Sequence, residues 1–143
     1  MSGINFFSPY RQFTLKNRKG LKEFIRTIFL TEKKQLSSLQ FVFCSDAYLL
    51  DINRQFLQHD YYTDIITFNL GTEKKIEGEV YISIERVREN AKIMKTSIKE
   101  ELHRVIFHGV LHLCGYKDKL KREVVTMRNK EDRLLQLYLR NKI

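Results

Sequence analysis

Proline is nearly missing from this chain: Pro9 is the only one in 143 residues, and glycine occurs six times. That composition excludes collagen-like and proline-rich linker architectures. Tryptophan is absent, and the two cysteines, Cys44 and Cys114, lie far apart and form no CxxC pair. Two reduced, buried thiols are the expected reading. No apolar run approaches the roughly 18 residues a bilayer span requires. The opening Met-Ser-Gly-Ile-Asn-Phe-Phe-Ser-Pro-Tyr has neither a basic n-region nor a long apolar h-region. A secretory leader is therefore not expected, and a cytoplasmic location is. Repeats, low-complexity tracts and linkers are not evident.

What the chain does contain is the balance of one soluble globular domain, with 43% hydrophobic and 30% charged residues. Lys and Arg number 26 against 17 Asp and Glu, a net charge of +9. Such an excess favours an anionic partner, with RNA or DNA the default, although positive charge also serves solubility. The basic stretch from Lys117 to Arg140 carries the same two readings, and a solvated helix face is the commoner one.

Periodicity divides the chain into alternating elements. Arg11–Lys16 alternates polar and apolar residues and reads as a short strand. Leu21, Phe24, Ile25, Ile28 and Phe29 follow Gly20 at helical spacing. Leu39–Cys44 reads as a buried strand. Ser45 and Asp46 are cap candidates for a helix carrying Leu49, Leu50, Ile52, Asn53 and Phe56. Thr63–Leu70 and Gly78–Ser83 read as strands joined by a polar turn from Gly71 to Glu77, together a hairpin. Ile84, Val87, Ala91 and Met94 mark another helix. Ser97 and Glu100 form a possible capping box for the next, which Gly115 ends. A last helix runs from about Lys121 to Arg140. Strands mixed with helices in so short a chain predict an α/β or α+β sandwich, not a helix bundle.

The chemistry centres on His108-Gly-Val-Leu-His112. On a helix, positions four apart project about 40° apart and one turn above each other, so one cation can reach both rings. Neutral imidazole suits zinc and its transition-metal neighbours. Gly109 stands where a zinc peptidase would carry its glutamate base, which disfavours a metallopeptidase. Glycine inside a helix costs about 1 kcal/mol against alanine, and its missing bulk lets substrate or another backbone come close. An open catalytic site needs a third ligand, and a reversal at Gly115 can return Asp118 towards the same ion. His103 lies about 140° around the helix from His108 and is not expected to be a ligand. His59 is read as a loop residue.

The run His108-Gly-Val-Leu-His112-Leu-Cys-Gly115-Tyr116-Lys117-Asp118 resembles the signature H-G-x-L-H-L-x-G-Y-D-H of the YbeY family of metal-dependent endoribonucleases. Every fixed letter before the final pair matches. Upstream, Asn53, Phe56, Asp60 and Thr63-Asp64-Ile65-Ile66-Thr67-Phe68 resemble a second family motif, and Gly78-Glu79-Val80-Tyr81-Ile82-Ser83 a third. The resemblance implies a single domain with a mixed, mostly four-stranded sheet and about five helices. It implies one divalent metal ion, zinc first among candidates, and RNA as substrate, with ribosomal RNA and the small ribosomal subunit as partners. His108 and His112 carry over as metal ligands. The family's third histidine does not: aligned without a gap, Asp118 occupies that position, whereas a one-residue insertion would put Lys119 there. A His108–His112–Asp118 set follows from the first alignment, since a charged lysine cannot bind a metal. Leu57 stands where the family has arginine, and Arg54, one helical turn earlier, is the candidate replacement for holding phosphate. Two functions follow as expectations: a metal-dependent, single-strand-specific endoribonuclease of ribosomal RNA maturation and ribosome quality control, or a non-catalytic ribosome-binding assembly factor.

Overall fold

Residues 3–59 and 62–140 are described by a computed structural model. Asp60, one residue of the upstream resemblance, lies outside them. The first strand, β1 (Gly3–Phe7), buries Ile4 and Phe6 on one side. It is followed by α1 (Arg18–Thr31), β2 (Gln35–Cys44), α2 (Asp46–Leu57), β3 (Ile65–Asn69) and β4 (Lys75–Ser83). Three helices then run consecutively: α3 (Ile84–Met94), α4 (Ile98–Leu113) and α5 (Lys121–Leu135). A wider π-type turn, Gln136–Arg140, continues α5. The sheet has order β1-β2-β4-β3, with β1, β2 and β4 parallel and β3 antiparallel to β4. Among the described residues this is the expected α+β fold, a mixed four-stranded sheet with five helices.

Two of the sequence expectations change. Arg11–Lys16 is not a strand. Its alternation does bury Leu15 and packs Phe13 on Phe43 with ring centroids 5.1 Å apart. However, β2 is already paired on both edges, and the segment's approach to it is one hydrogen bond, Tyr10 N–H to the Phe43 carbonyl at 3.3 Å. The strand beside β2 is instead Gly3–Phe7, at the very start of the chain. The polar turn is also shorter than expected. Asn69 folds it by accepting from the Gly71 and Glu77 N–H groups and donating to the Thr72 carbonyl, so pairing begins at Lys75.

The period of two along each strand separates two apolar layers. Leu39, Phe41, Phe43, Val80 and Ile82 join α1, α3 and α4 in the main core, where Phe6 stacks on Phe41 at 5.3 Å. Cys44, Leu49 and Ile66 form a smaller cluster under α2. Both cysteines are buried and free, and burial pushes each thiol up to about 12. Ser45 caps α2 by accepting the Tyr48 N–H, and Ser97 caps α4 by accepting that of Glu100. The Glu100 carboxylate accepts from Thr96 Oγ1 and from Arg140.

α4 is the central helix, covered by the sheet, α3 and α5. Gly109 faces β3 and β4: a Cβ there would lie 2.9 Å from Ile65 Cδ1 and 3.2 Å from Val80 Cγ1. The close approach that Gly109 permits is therefore to the sheet, not to a substrate. Val80 is β-branched and fully buried, so it cannot swing away. Replacing Gly109 with valine is expected to destabilise the protein by about 1–3 kcal/mol through overpacking. A denaturant melt measures this, and an unchanged midpoint would refute the packing account.

Candidate metal centre

From Glu101 to Cys114, α4 and its C-cap are buried except at Arg104, His108 and His112. The spacing of four aligns these three on one strip. The side chains of His108 and His112 are 22% and 26% exposed, enough to meet a ligand while held by the core.

Gly115 ends the helix at φ 105°, a left-handed conformation that suits glycine. Its N–H bonds the His112 carbonyl and the Tyr116 N–H bonds that of Leu111, both at 3.0 Å, a Schellman closure. The Tyr116 hydroxyl donates to Glu32 at 2.8 Å, and Lys130 meets the same carboxylate at 3.2 Å. This anchor fixes the reversal. Asp118 thereby returns to the strip: its Oδ2 lies 3.2 Å from His108 Nε2 and 3.2 Å from His112 Nε2. Lys119 turns away, its backbone N–H bonding Glu123.

The two Nε2 atoms are 3.0 Å apart. Both Nδ1 atoms already have partners that can only accept: the Glu131 carboxylate at 2.6 Å from His108, and the Tyr116 carbonyl at 2.9 Å from His112. Each Nδ1 therefore carries its proton, and the two Nε2 lone pairs face the same point. With Asp118 Oδ2 they make a triangle with sides of 3.0, 3.2 and 3.2 Å. A tetrahedral zinc about 2.0–2.2 Å from such ligands spaces them by about 3.3–3.6 Å. The donor set fits a divalent cation in size, direction and chemistry. Among the described residues, these three form a cluster of this kind, with ligand atoms all within 4.8 Å of one another.

A cavity of about 400 Å³ opens beside the triangle, walled by Asp64, Asn90, Ile93, Met94, Glu101, Arg104, Val124, Arg128 and Glu131 among others. Glu131 is 4% exposed and also binds Arg104 at 3.2 Å, while Arg104 reaches Asp132 at 2.9 Å. Burial lowers the affinity of His108 for a proton, but the Glu131 hydrogen bond and charge outweigh it and hold its pKa above the ordinary value. Burial pushes Asp64 and Glu101 upwards too.

His103 does not join the triangle. It is buried, with Nδ1 on the Lys99 carbonyl at 2.7 Å and its ring 5.3 Å from that of Tyr138. His59 follows the C-cap of α2 in an exposed position. Arg54 lies on the exposed last turn of α2, and the cavity wall carries Arg104 and Arg128 instead. Glu131, Asp64 and Glu101 were not among the candidates drawn from the sequence. Glu131 had left a signal, being an acid on the apolar stripe of α5 between Met127 and Leu135.

A family model described as "Endoribonuclease YbeY" matches residues 8–139. A protein of Cytophaga hutchinsonii named Endoribonuclease YbeY is 50% identical over 135 residues, covering 94% of each chain. One of the same name from Flavobacterium psychrophilum is 45% identical over 126 residues, 88% of this chain and 90% of that one. The solution structure of TM1509 from Thermotoga maritima superposes with a TM-score of 0.61 at 26% identity, covering 99% of this chain and 93% of that one.

Glu101 yields a pH test. Its folded pKa is raised by burial, so the ionised form costs stability once the pH exceeds the unfolded value. Glu101→Gln is expected to raise the melting temperature at pH 7. The gain should vanish as the pH falls below the ordinary glutamate pKa of about 4.3. A variant less stable than the parent at pH 7 would refute this.

Proposed function

The chain belongs to the endoribonuclease YbeY family, and from that premise we propose that it is a metal-dependent, single-strand-specific endoribonuclease of ribosomal RNA maturation and ribosome quality control. The observation that carries the metal dependence is the convergence of His108 Nε2, His112 Nε2 and Asp118 Oδ2 on one point. These three atoms hold one divalent ion, zinc, with the carboxylate making the site more tolerant of harder ions such as manganese than three imidazoles would be. When bound, the ion supplies Lewis acidity for hydrolysis of a phosphodiester.

The chain's own residues do the rest. Glu131 and the Tyr116 carbonyl each accept an Nδ1 proton, which leaves the opposite nitrogens aimed at the metal position. Arg104 is committed to Glu131 and Asp132. Arg128, exposed on the cavity wall, offers its guanidinium to the phosphate backbone. The net charge of +9 draws an RNA strand towards the surface. Ribosomal RNA and the small ribosomal subunit are the partners, in the cytoplasm. Among the described residues no helix is long and apolar enough to cross a membrane. A non-catalytic assembly factor is the second reading, favoured by Leu57 in place of the family arginine.

Cleavage of a labelled single-stranded ribosomal RNA precursor, with zinc or with chelator, separates the two readings. The loaded protein is expected to cut single strands and spare duplexes, and the chelated protein to cut neither. His108→Ala, His112→Ala and Asp118→Ala should lose bound metal and cleavage together, and Glu131→Gln should weaken metal binding by about 10–100-fold. Arg128→Ala should lower the slope of log affinity against log salt by about 1. Arg54→Ala with undiminished affinity and cleavage would remove Arg54 from the site. Binding without cleavage, at full metal occupancy, would select the assembly factor.

A further inference from the structure

Glu101 is 7% exposed and lines the cavity, where its carboxylate feels the positive charges of Arg104 and Arg128. Its neighbour across the cavity, Asp64, is met by the Asn90 amide at a long 3.5 Å. Both carboxylates face the space beside the metal triangle, and Arg104, one turn from Glu101, is already taken by Glu131 and Asp132.

The mouth of this space has the opposite character. Ile93, Met94 and Val124 are 68%, 56% and 46% exposed, the first two at the end of α3 and the third at the start of α5. They flank α4 from two sides and leave a slot with aliphatic walls and acceptor groups on its floor. Its 400 Å³ falls in the range of about 300–1,000 Å³ typical of small-ligand sites. Beside the metal triangle the floor is acidic, with Asp64 and Glu101 set apart from the phosphate-facing Arg128. It suits a flat, uncharged group rich in N–H donors. Glu101 also precedes His108 by seven residues, about 10 Å along the helix axis, which is within a nucleotide's reach from phosphate to base edge.

We propose that this slot is a nucleobase pocket that selects guanine, with Glu101 accepting its adjacent N1–H and N2–H groups and Ile93, Met94 and Val124 covering its faces. The proposal rests on the nuclease reading and names the nucleotide whose phosphate meets the metal site. Adenine, cytosine and uracil each lack the pair of neighbouring donors that one carboxylate takes up.

The test is a titration of the zinc-loaded protein with GMP, AMP, CMP and UMP, followed by the methyl resonances of Ile93 and Met94. GMP is expected to bind about tenfold more tightly than the others and to shift both methyls. Glu101→Gln should abolish that advantage while leaving the weaker nucleotides unchanged, and a melt verifies its fold. Met94→Ala should weaken GMP but not ribose 5-phosphate. Equal affinity for all four nucleotides, unshifted methyls, or a guanine preference surviving in Glu101→Gln would overturn the pocket. Cleavage of single-stranded RNAs differing in one base keeps the two readings apart. Cutting without guanine preference sinks the pocket and spares the nuclease. No cutting at all sinks the nuclease, and the titration still decides the pocket.

Discussion

The site depends on one constraint, the enclosure of α4. A helix covered on nearly every side has no freedom to rotate or slide without breaking a close-packed core. Whatever its uncovered strip carries is therefore held to the tolerance of the core itself. Gly109, about 100° around the helix from the middle of the strip, sets how near that strip's backbone lies to β3 and β4, so packing against the sheet and placement of the imidazoles are one problem. Leu113 adds to this by seating over Gly78, where a Cβ would lie 2.6 Å from its Cδ1.

Rigidity of the backbone does not orient a ring. That falls to two acceptors of different origin. Tyr116 contributes a main-chain carbonyl, placed by a helix stop and moored through its own hydroxyl to the end of α1. Glu131 contributes a carboxylate from α5, itself braced by Arg104. One imidazole is thus steered by local chain geometry and the other by tertiary contact. The first survives wherever the turn forms; the second exists only in the assembled domain.

Much of the fold was legible because its signals are local. Helical spacing in α1 to α5, the caps at Ser45 and Ser97, and the glycine stop at 115 all act within a turn or two. The pairing of His108 with His112 was legible for the same reason, and Asp118 followed from the stop. What escaped depended on the whole. The alternation at Arg11–Lys16 is the pattern of a strand, and nothing within the segment reveals that both edges of β2 are taken. Gly3–Phe7 is too short to declare itself, and the start of the chain was weighed only for the pattern of a leader, which it lacks. Glu131 and Glu101 were missed because a carboxylate on an apolar face reads as a blemish until the structure shows what it faces. Gly109 was noticed, but periodicity alone does not say whether the space it frees points to ligand or to sheet.

The link from Glu131 to His108 joins two helices through an imidazole that is also one corner of the His108–His112–Asp118 triangle. Linkage is reciprocal: whatever affinity a cation gains from that carboxylate, it returns as a clamp on the helix bearing it. Occupancy of the centre and docking of the C-terminal arm become two readings of a single equilibrium. An apo chain would then differ from a loaded one less at the histidines than in how firmly its last helix is latched.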